Sequence, residues 1–389
     1  MNGRALALTL GAITFALVVA WLMLPPDGGR DDSPGVARLL GDSPSGEFAQ
    51  ATEPGAIRFP ADHGPHPDYR TEWWYVTGNL RNAAGRHFGF QITFFRFALA
   101  VEAPERDSAW AADQVYMAHF AVTDTAGRRH IAAERFDRAA LGLAGAKVEP
   151  FRVWLGDWSA ASAGKEFLPL RLNARDKSMA LDLTLTTSKP VVLNGDAGLS
   201  RKGPAPGDAS YYYSFTRLAA SGGITVDGES FDVEGRAWLD REWSSGALGE
   251  HLSGWDWFAL QLDDGTDIMF YRLRRKDGDV DPFSAGSLVA ADGSRRALGA
   301  HDVTIESSGS WTSPDSGVTY PMGWRLRLPN ESIVLDVQPY VEAQEMDLSV
   351  RYWEGAVRVA GGNGGKAATG EGYVELAGYG EEEAAGLGR

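Results

Sequence analysis

Apolar and polar residues alternate along most of the chain after residue 56, as they do in half-buried β-strands. In residues 181–186 every second residue is leucine and the residues between are polar. Residues 258–262 show the same alternation and run into a turn at Asp264-Gly265, after which Ile268 and Phe270 continue it. Because short strands joined by tight turns form antiparallel hairpins, we expect an all-β protein built as barrels or sandwiches.

One strand changes its phase. In residues 88–94 the large apolar side chains occupy alternate positions and share one face. Phe95 and Phe97 then continue on the opposite parity. Such a slip predicts a β-bulge at Phe94-Phe95.

A weak internal repeat predicts two similar halves. Trp73-Trp74 leads through a turn to Phe94-Phe95-Arg96, and the segment from Trp255 leads in the same way to Phe270-Tyr271-Arg272. Near the ends of the halves, residues 235–239 parallel residues 372–376, although chance similarity between hairpins is the alternative. The Gly- and Ser-rich residues 244–253 suggest the boundary, with a first domain at 57–245, a second at 250–380 and a disordered tail at 381–389.

The length of 389 residues suits two domains better than one. A formal charge of −15 argues against a nucleic-acid-binding surface, because few cations are left to neutralise phosphates. The absence of cysteine excludes disulfides, thiolate metal sites and a cysteine nucleophile. No phosphate loop, dinucleotide motif or Gly-x-Ser-x-Gly elbow occurs in a convincing context, so we expect no cofactor and no conventional serine hydrolase.

The N-terminus carries an uncharged apolar run of twenty residues, 5–24, preceded by Arg4. An apolar helix of this length can cross a bilayer, and the positive charge before it favours export of the remaining chain. It is either a retained membrane anchor or a cleavable signal peptide with a cleavage site at Val18-Val19-Ala20. Residues 25–56 are rich in Gly, Pro, Ser and Asp and predict a flexible linker, so we expect an envelope protein, periplasmic or secreted.

Residues 62–80 contain the highest density of side chains that could bind a ligand or take part in catalysis. A strand from Thr71 onwards would send Glu72 and Trp74 to one face and Trp73 and Tyr75 to the other. Because both faces carry aromatic rings, the strand is either buried on both sides as ordinary core or lines a cavity. Glu72 among indoles must be paired or have a raised pKa.

Residues 235–243 form a second concentration, in which Trp238, Asp240 and Glu242 share one face. A carboxyl group among Trp rings stays protonated close to neutral pH, which would suit Asp240 to act as a general acid. The alternative is a salt bridge from Asp240 to Arg236 or Arg241.

His63 and His66 form a His-x-x-His pair beside Asp62 and Asp68 and raise the question of a metal site. The pair lies in a Gly- and Pro-rich loop, and no His-Glu-x-x-His helix occurs. We therefore predict no metal and assign the loop to hydrogen bonding and barrel closure.

We expect aromatic side chains from both halves to surround an apolar ligand, together with the three candidate acids Asp240, Glu72 and Glu242. The predicted ligand-contacting residues are Trp73, Trp74, Tyr75, Tyr212, Tyr213, Trp238, Trp243, Trp255 and Trp257.

In these segments the chain resembles the lipocalin-like family of carotenoid 1,2-hydratases (CrtC-type) and AttH-like secreted proteins. The matching elements are residues 62–64, Glu72-Trp73-Trp74-Tyr75 with 76–78, residues 212–218, Trp238 with 240–243, residues 352–355 and residues 372–376. The resemblance spans residues 57–380, and its Glu-Trp-Trp-Tyr element is specific. It implies two consecutive lipocalin-like (calycin) antiparallel β-barrels and an apolar lipid or isoprenoid ligand.

Three functions are compatible with the sequence. The first is a carrier of an apolar molecule, for which the resemblance implies a membrane permease as a partner. The second is a hydratase, in which Asp240 protonates an isoprenoid alkene and aromatic faces stabilise the cation. The third is a lipid-ester hydrolase, which lacks an identifiable nucleophile.

Overall fold

The protein is antiparallel β-sheet throughout residues 48–100, 110–187, 189–246 and 248–380, the part of the chain that the computed structural model describes. Two single-turn 3-10 helices, Ala61–His63 and Pro329–Glu331, are the helical elements of these residues. No helix in those four ranges is long and apolar enough to span a membrane. The predicted N-terminal helix, most of the predicted linker and the predicted tail at 381–389 lie outside the described residues.

The first sheet has thirteen strands, β1 to β13, and its main path runs β4-β3-β2-β1-β13-β12-β9-β8-β7-β6-β5, with β10 and β11 paired to β12. The two ends of this path, β4 and β5, approach each other, so the sheet curls into a nearly closed barrel. Its strands are Thr71–Arg81, His87–Ala98, Gln114–Asp124, Arg129–Arg138, Ala144–Lys147, Arg152–Leu155, Trp158–Ser162, Leu170–Asp176, Met179–Thr187, Val192–Leu193, Leu199–Arg201, Ala209–Val226 and Glu229–Ser244.

The second sheet has ten strands, β14 to β23, in the order β17-β16-β15-β14-β23-β22-β20-β19-β18, with β21 paired to β22. It curls around a core of its own, and the architecture is two consecutive lipocalin-like barrels, as expected. Its strands are Leu252–Leu262, Asp267–Arg275, Ala285–Val289, Arg295–Gly299, Thr304–Thr312, Thr319–Leu328, Ile333–Pro339, Glu345–Asp347, Arg351–Asn363 and Lys366–Ala377.

The first strand of the first barrel is buried on both faces. Trp74 and Val76 of β1 point into the barrel and join its core. Trp73 and Tyr75 point outwards and join an apolar cluster that contains residues of the second barrel. The predicted division of this strand into two aromatic faces is confirmed.

The β-bulge predicted at Phe94-Phe95 is wrong. Strand β2 pairs with β1 and β3 in an unbroken register across both residues. Phe94 points into the barrel core, whereas Phe95 points outwards into a cluster shared with the second barrel. The change of parity therefore marks a strand that is apolar on both faces.

The two sheets share a local topology, in which the first strand lies between the second strand and the last. Strand β1 lies between β2 and β13, and β14 lies between β15 and β23. Leu80 of β1 is opposite Gly235, and Leu262 of β14 is opposite Gly370. The strand pairing therefore makes Gly370 the structural equivalent of Gly235. The sequence comparison predicted Gly372, which is displaced from it by two residues.

The barrels pack against each other through their outer faces and belong to one compact unit. Two apolar clusters combine residues of both barrels, for example Tyr75, Tyr212 and Trp238 with Trp257 and Tyr373. The packing is close, since a Cβ on Gly89 of β2 would lie 2.6 Å from the Ala356 Cβ of β22.

A buried ion cluster also joins the barrels. Asp267 of the second barrel is fully buried and lies 2.8 Å from the Lys189 Nζ of the first. It also accepts hydrogen bonds from Thr216 and Arg217. Groups of the first barrel compensate the charge of Asp267. The ion cluster therefore stabilises the packed arrangement of the two barrels.

Asp267→Asn should lower the free energy of unfolding by about 3 kcal/mol, because Lys189 and Arg217 lose their buried counter-charge. Urea denaturation of the purified protein measures this change. Asp263→Asn is the control: its side chain is 53% exposed and pairs with Arg236 at 2.8 Å, so we expect a loss below about 1 kcal/mol. Equal losses in the two variants would contradict the assignment of Asp267.

Candidate ligand-binding and acid site

A cavity of about 190 Å³ lies between the two barrels. Side chains that project from the outer faces of both sheets form its walls. Its aromatic surface comes from Trp73 and Tyr75 of β1, Phe95 and Phe97 of β2, and Trp255 and Trp257 of β14. A site with such walls accepts an apolar molecule.

Asp240 of β13 is one of the carboxyl groups that the first barrel contributes to the cavity wall. Its Oδ2 accepts a hydrogen bond of 2.7 Å from the Tyr212 hydroxyl, and its Oδ1 accepts one of 2.7 Å from the Trp238 Nε1. The Ser214 hydroxyl also donates to Oδ1. Arg241 and Arg236, the predicted alternative partners, pair with other carboxylates, so the salt-bridge alternative for Asp240 is wrong.

Burial raises the pKa of Asp240 from its ordinary 3.8 to about 7. The hydrogen bonds from Ser214, Tyr212 and Trp238 favour the ionised form and oppose this rise, while the charge of Glu242 adds to it. A carboxyl group with this pKa can hold and give up a proton close to neutral pH.

A chain of hydrogen bonds supports Asp240 from the second barrel. Asn194 Nδ2 donates to the Ser214 hydroxyl at 2.8 Å, and its Oδ1 accepts from the Ser287 hydroxyl at 2.8 Å. Arg295 Nε donates to Ser287 Oγ at 2.9 Å. Because Ser287 and Arg295 belong to the second barrel, the orientation of the acid depends on barrel packing.

Glu242, a predicted alternative acid, lies on the same face of β13 and lines the same cavity. It accepts a hydrogen bond from Ser210, and its Oε1 lies 3.4 Å from the Lys202 Nζ. The Lys202 ammonium also lies 3.6 Å from the centre of the Tyr271 ring. Glu242 thus has a cation as its partner, which Asp240 lacks.

The second barrel contributes Glu375, which the sequence analysis did not select. The Trp255 Nε1 donates a hydrogen bond of 2.7 Å to its Oε1. Burial raises the pKa of Glu375 to about 7; the Trp255 bond opposes the rise and the charges of Asp240 and Glu242 add to it. The sequence signal was present, since Glu375 lies in a segment that carries the family resemblance.

Glu354 is the neighbour of Glu375 across the β22–β23 ladder and was also missed. It is fully buried and accepts a hydrogen bond from the Tyr75 hydroxyl of the first barrel. Burial and the charge of Glu375 hold the pKa of Glu354 well above its usual range.

Glu72, the other predicted acid, is among the residues around the cavity, but its side chain lies on the opposite face of its strand and is held by two arginines. Its carboxylate pairs with Arg96 and Arg241 and lies 3.1 Å from the His66 Nδ1. Burial alone raises its pKa, but Arg241, the His66 hydrogen bond and Arg96 together hold the pKa of Glu72 well below its usual range. Glu72 is therefore a structural anion that fastens the strands, which is a different role from the predicted one.

Three predicted ligand-contacting rings point into the first barrel, away from the cavity. Trp74 Nε1 donates to the His63 carbonyl at 2.9 Å, and the Tyr213 hydroxyl is 2.7 Å from the His63 Nδ1. Trp243 stacks on His66 with the ring centres 3.9 Å apart. The loop that carries His63 and His66 thus packs against these rings inside the first barrel.

Within the described ranges, no group of three or more His, Cys, Asp or Glu side chains is arranged to hold a metal.

The other predicted rings lie at the cavity. Trp73, Tyr75, Tyr212, Trp255 and Trp257 line it. Trp238 is buried and reaches the site through its hydrogen bond to Asp240.

Residues 50–379 match the AttH-like family along their whole length. The chain belongs to the AttH-like family. A solved AttH protein from Nitrosomonas europaea is 37% identical, with a TM-score of 0.75 over 85% of this chain and 100% of that one.

More distant structures share the fold. Kievitone hydratase from Nectria haematococca is 16% identical, with a TM-score of 0.66 over 86% of this AttH-like chain and 99% of its own. The protein CghA with Sch210972 is 14% identical, with a TM-score of 0.51 over 86% and 97% of the two chains. No curated protein sequence matches the chain.

The contribution of Asp240 to the stability of this AttH-like protein should fall as the pH rises from about 4 to about 7. In that window folded Asp240 keeps a proton that the unfolded chain, with a pKa near 3.8, has lost. At this group the native state binds more protons, so its contribution to the free energy of unfolding decreases with pH. Asp240→Asn cannot ionise and should remove this contribution from the slope of stability against pH, which urea denaturation at a series of pH values measures. An unchanged slope would show that Asp240 ionises normally.

Proposed function

We propose that the protein binds an apolar, unsaturated small molecule between its barrels and adds water to it, with Asp240 as the general acid. The observation that carries the proposal is the position of Asp240. Its carboxyl group lies on the wall of a cavity whose aromatic surface comes from both barrels. Its pKa of about 7 leaves it a proton to donate at neutral pH.

The reaction has three steps. The Asp240 carboxyl transfers its proton to one alkene carbon, and the other carbon becomes a tertiary cation. The oxygen of a water molecule bonds to that cation, and the oxonium group then loses a proton. The product is a tertiary alcohol, and Asp240 is reprotonated in the course of turnover.

The cavity walls suit the cationic intermediate. Trp73, Trp255 and Trp257 present ring surfaces to the cavity. A cation over an aromatic face is stabilised by about 1 to 2 kcal/mol when water is excluded, so several rings together change the rate substantially. The fold is also that of a protein named kievitone hydratase, which supports hydration as the reaction class.

Asp240→Asn should lower turnover of an acyclic isoprenoid alkene by about 100-fold or more, since the amide has no acidic proton. The measurement is formation of the tertiary alcohol by mass spectrometry, with isotopically labelled water as the oxygen source. Binding of the alkene, followed by tryptophan fluorescence, should change little. Asp263→Asn, on the exposed edge of the second barrel, should keep normal turnover.

Retained turnover in Asp240→Asn would refute Asp240 as the acid.

The second candidate function is a carrier for an apolar lipid or isoprenoid, which the apolar side chains of Met117, Leu273 and Val350 in the cavity wall favour. Binding of the alkene without any conversion by the wild-type protein would favour the carrier.

We also propose that the folded part lies outside the cytoplasm, where a membrane permease delivers or receives the ligand. The apolar residues 5–24 after Arg4 support this location. A fusion of alkaline phosphatase after residue 380 should be active in intact cells, and deletion of residues 1–24 should abolish that activity. Activity that persists after the deletion would contradict export through this segment.

A further inference from the structure

We infer that Glu375 is the general base that takes the proton from the attacking water. Glu375 lies on the cavity wall formed by the second barrel, and Asp240 lies on the wall formed by the first. This inference rests on the proposed hydration. Both carboxyl groups line the same cavity. Hydration needs a proton donor for the alkene and a proton acceptor for the water, and two carboxyl groups can divide these roles.

The two residues occupy equivalent places in the barrels. Asp240 lies on the last strand of its sheet, opposite Tyr75 of the first strand. Glu375 lies on the last strand of its own sheet, opposite Trp257 of the first strand. Each receives an indole hydrogen bond of 2.7 Å, and the outer faces that carry them meet at the cavity.

Their hydrogen bonding separates the roles. Both oxygens of Asp240 are engaged, by Tyr212 on one side and by Ser214 and Trp238 on the other. Within the described ranges the hydrogen-bond donor to Glu375 is Trp255, which binds Oε1, and the residue as a whole is half-buried. Oε2 of Glu375 is therefore the oxygen with lone pairs available to a water molecule in the cavity.

Glu354 determines which carboxyl group of the second barrel carries charge. It adjoins Glu375 across the ladder, and its buried Oε2 has no hydrogen-bond partner within the described part of the chain. A buried carboxylate oxygen without a partner is costly when charged, so Glu354 keeps its proton. Burial and the charge of Glu375 hold the pKa of Glu354 well above its usual range, in keeping with a protonated Glu354.

The proton balance closes with these groups alone. Asp240 gives its proton to the alkene carbon, and the water oxygen bonds to the cation. Glu375 takes one proton from that water and the other stays in the alcohol. A proton then returns from Glu375 to Asp240 through solvent, so no oxidant or reductant is needed.

Other titratable groups surround the pair and contribute to its pH dependence. Glu242 lies beside Asp240, Lys202 faces Glu242, His119 lines the wall and Glu354 adjoins Glu375. The carboxylates of Glu72 and Asp208 belong to residues around the same cavity. Because these charges interact, the two apparent pKa values of a pH–rate profile belong to the pair.

The first test is the rate of hydration of the acyclic isoprenoid alkene in Glu375→Gln. We expect turnover to fall by about 100-fold and the rising limb of the pH–rate profile to disappear. Glu375→Ala should regain activity when formate is added, because formate can occupy the vacated space as a base. Glu371→Gln is the matched control, since Glu371 lies on the same strand but pairs with Arg81.

Normal turnover in Glu375→Gln, with the rising limb retained, would overturn the inference and leave the proposed hydration standing. Absence of turnover in the wild-type protein would overturn the hydration proposal and, with it, the role of Glu375 as a base.

The second test does not depend on a substrate. Hexyltrimethylammonium mimics the cationic intermediate, and 2,2-dimethyloctane is its uncharged isostere. At about pH 8, where Glu375 is ionised, we expect Glu375→Gln to bind the ammonium about tenfold more weakly and the hydrocarbon unchanged. Tryptophan fluorescence measures both affinities. An equal loss for the two probes would show that Glu375 shapes the cavity without presenting a charge to it.

Discussion

Burial of aromatic residues on both faces of the same strands is the constraint on which this structure depends. Trp74 inside the first barrel and Tyr75 outside it are both buried. An apolar outer face costs about 25 cal/mol for each Å² left in water, so the barrels must cover one another. They do so closely enough that Gly89 has no room for a side chain against Ala356. The cavity lies at this covered surface.

Burial at this surface also creates the chemistry of the site. Asp240 and Glu375 lie on outer faces without a buried counter-cation as a hydrogen-bond partner, and burial raises the pKa of each to about 7. Glu72 is buried as deeply, but Arg96 and Arg241 keep it ionised. A buried carboxyl group thus takes part in proton transfer or serves as a structural anion, according to whether cations lie close to it.

The site exists only where the two barrels meet. The hydrogen bonds that orient Asp240 continue through Ser214 and Asn194 to Ser287 of the second barrel. Tyr75 of the first barrel donates in turn to Glu354 of the second. Each barrel therefore fixes a carboxyl group of the other, and a shift between the barrels would disturb both walls of the cavity together.

The sequence alone determined the all-β class, the hairpin at Asp264-Gly265 and the two faces of the strands that carry Trp73 and Asp240. These features follow from alternation between adjacent residues, which is a local property. Only the tertiary structure decided which face meets the cavity. It placed Trp74 in a barrel core, brought Glu375 to the site and showed that Phe95 continues a regular strand. The second barrel covers the outer faces of these strands. Apolar residues that face another barrel and apolar residues that face their own barrel core give the same pattern within a single strand, so the sequence cannot distinguish them.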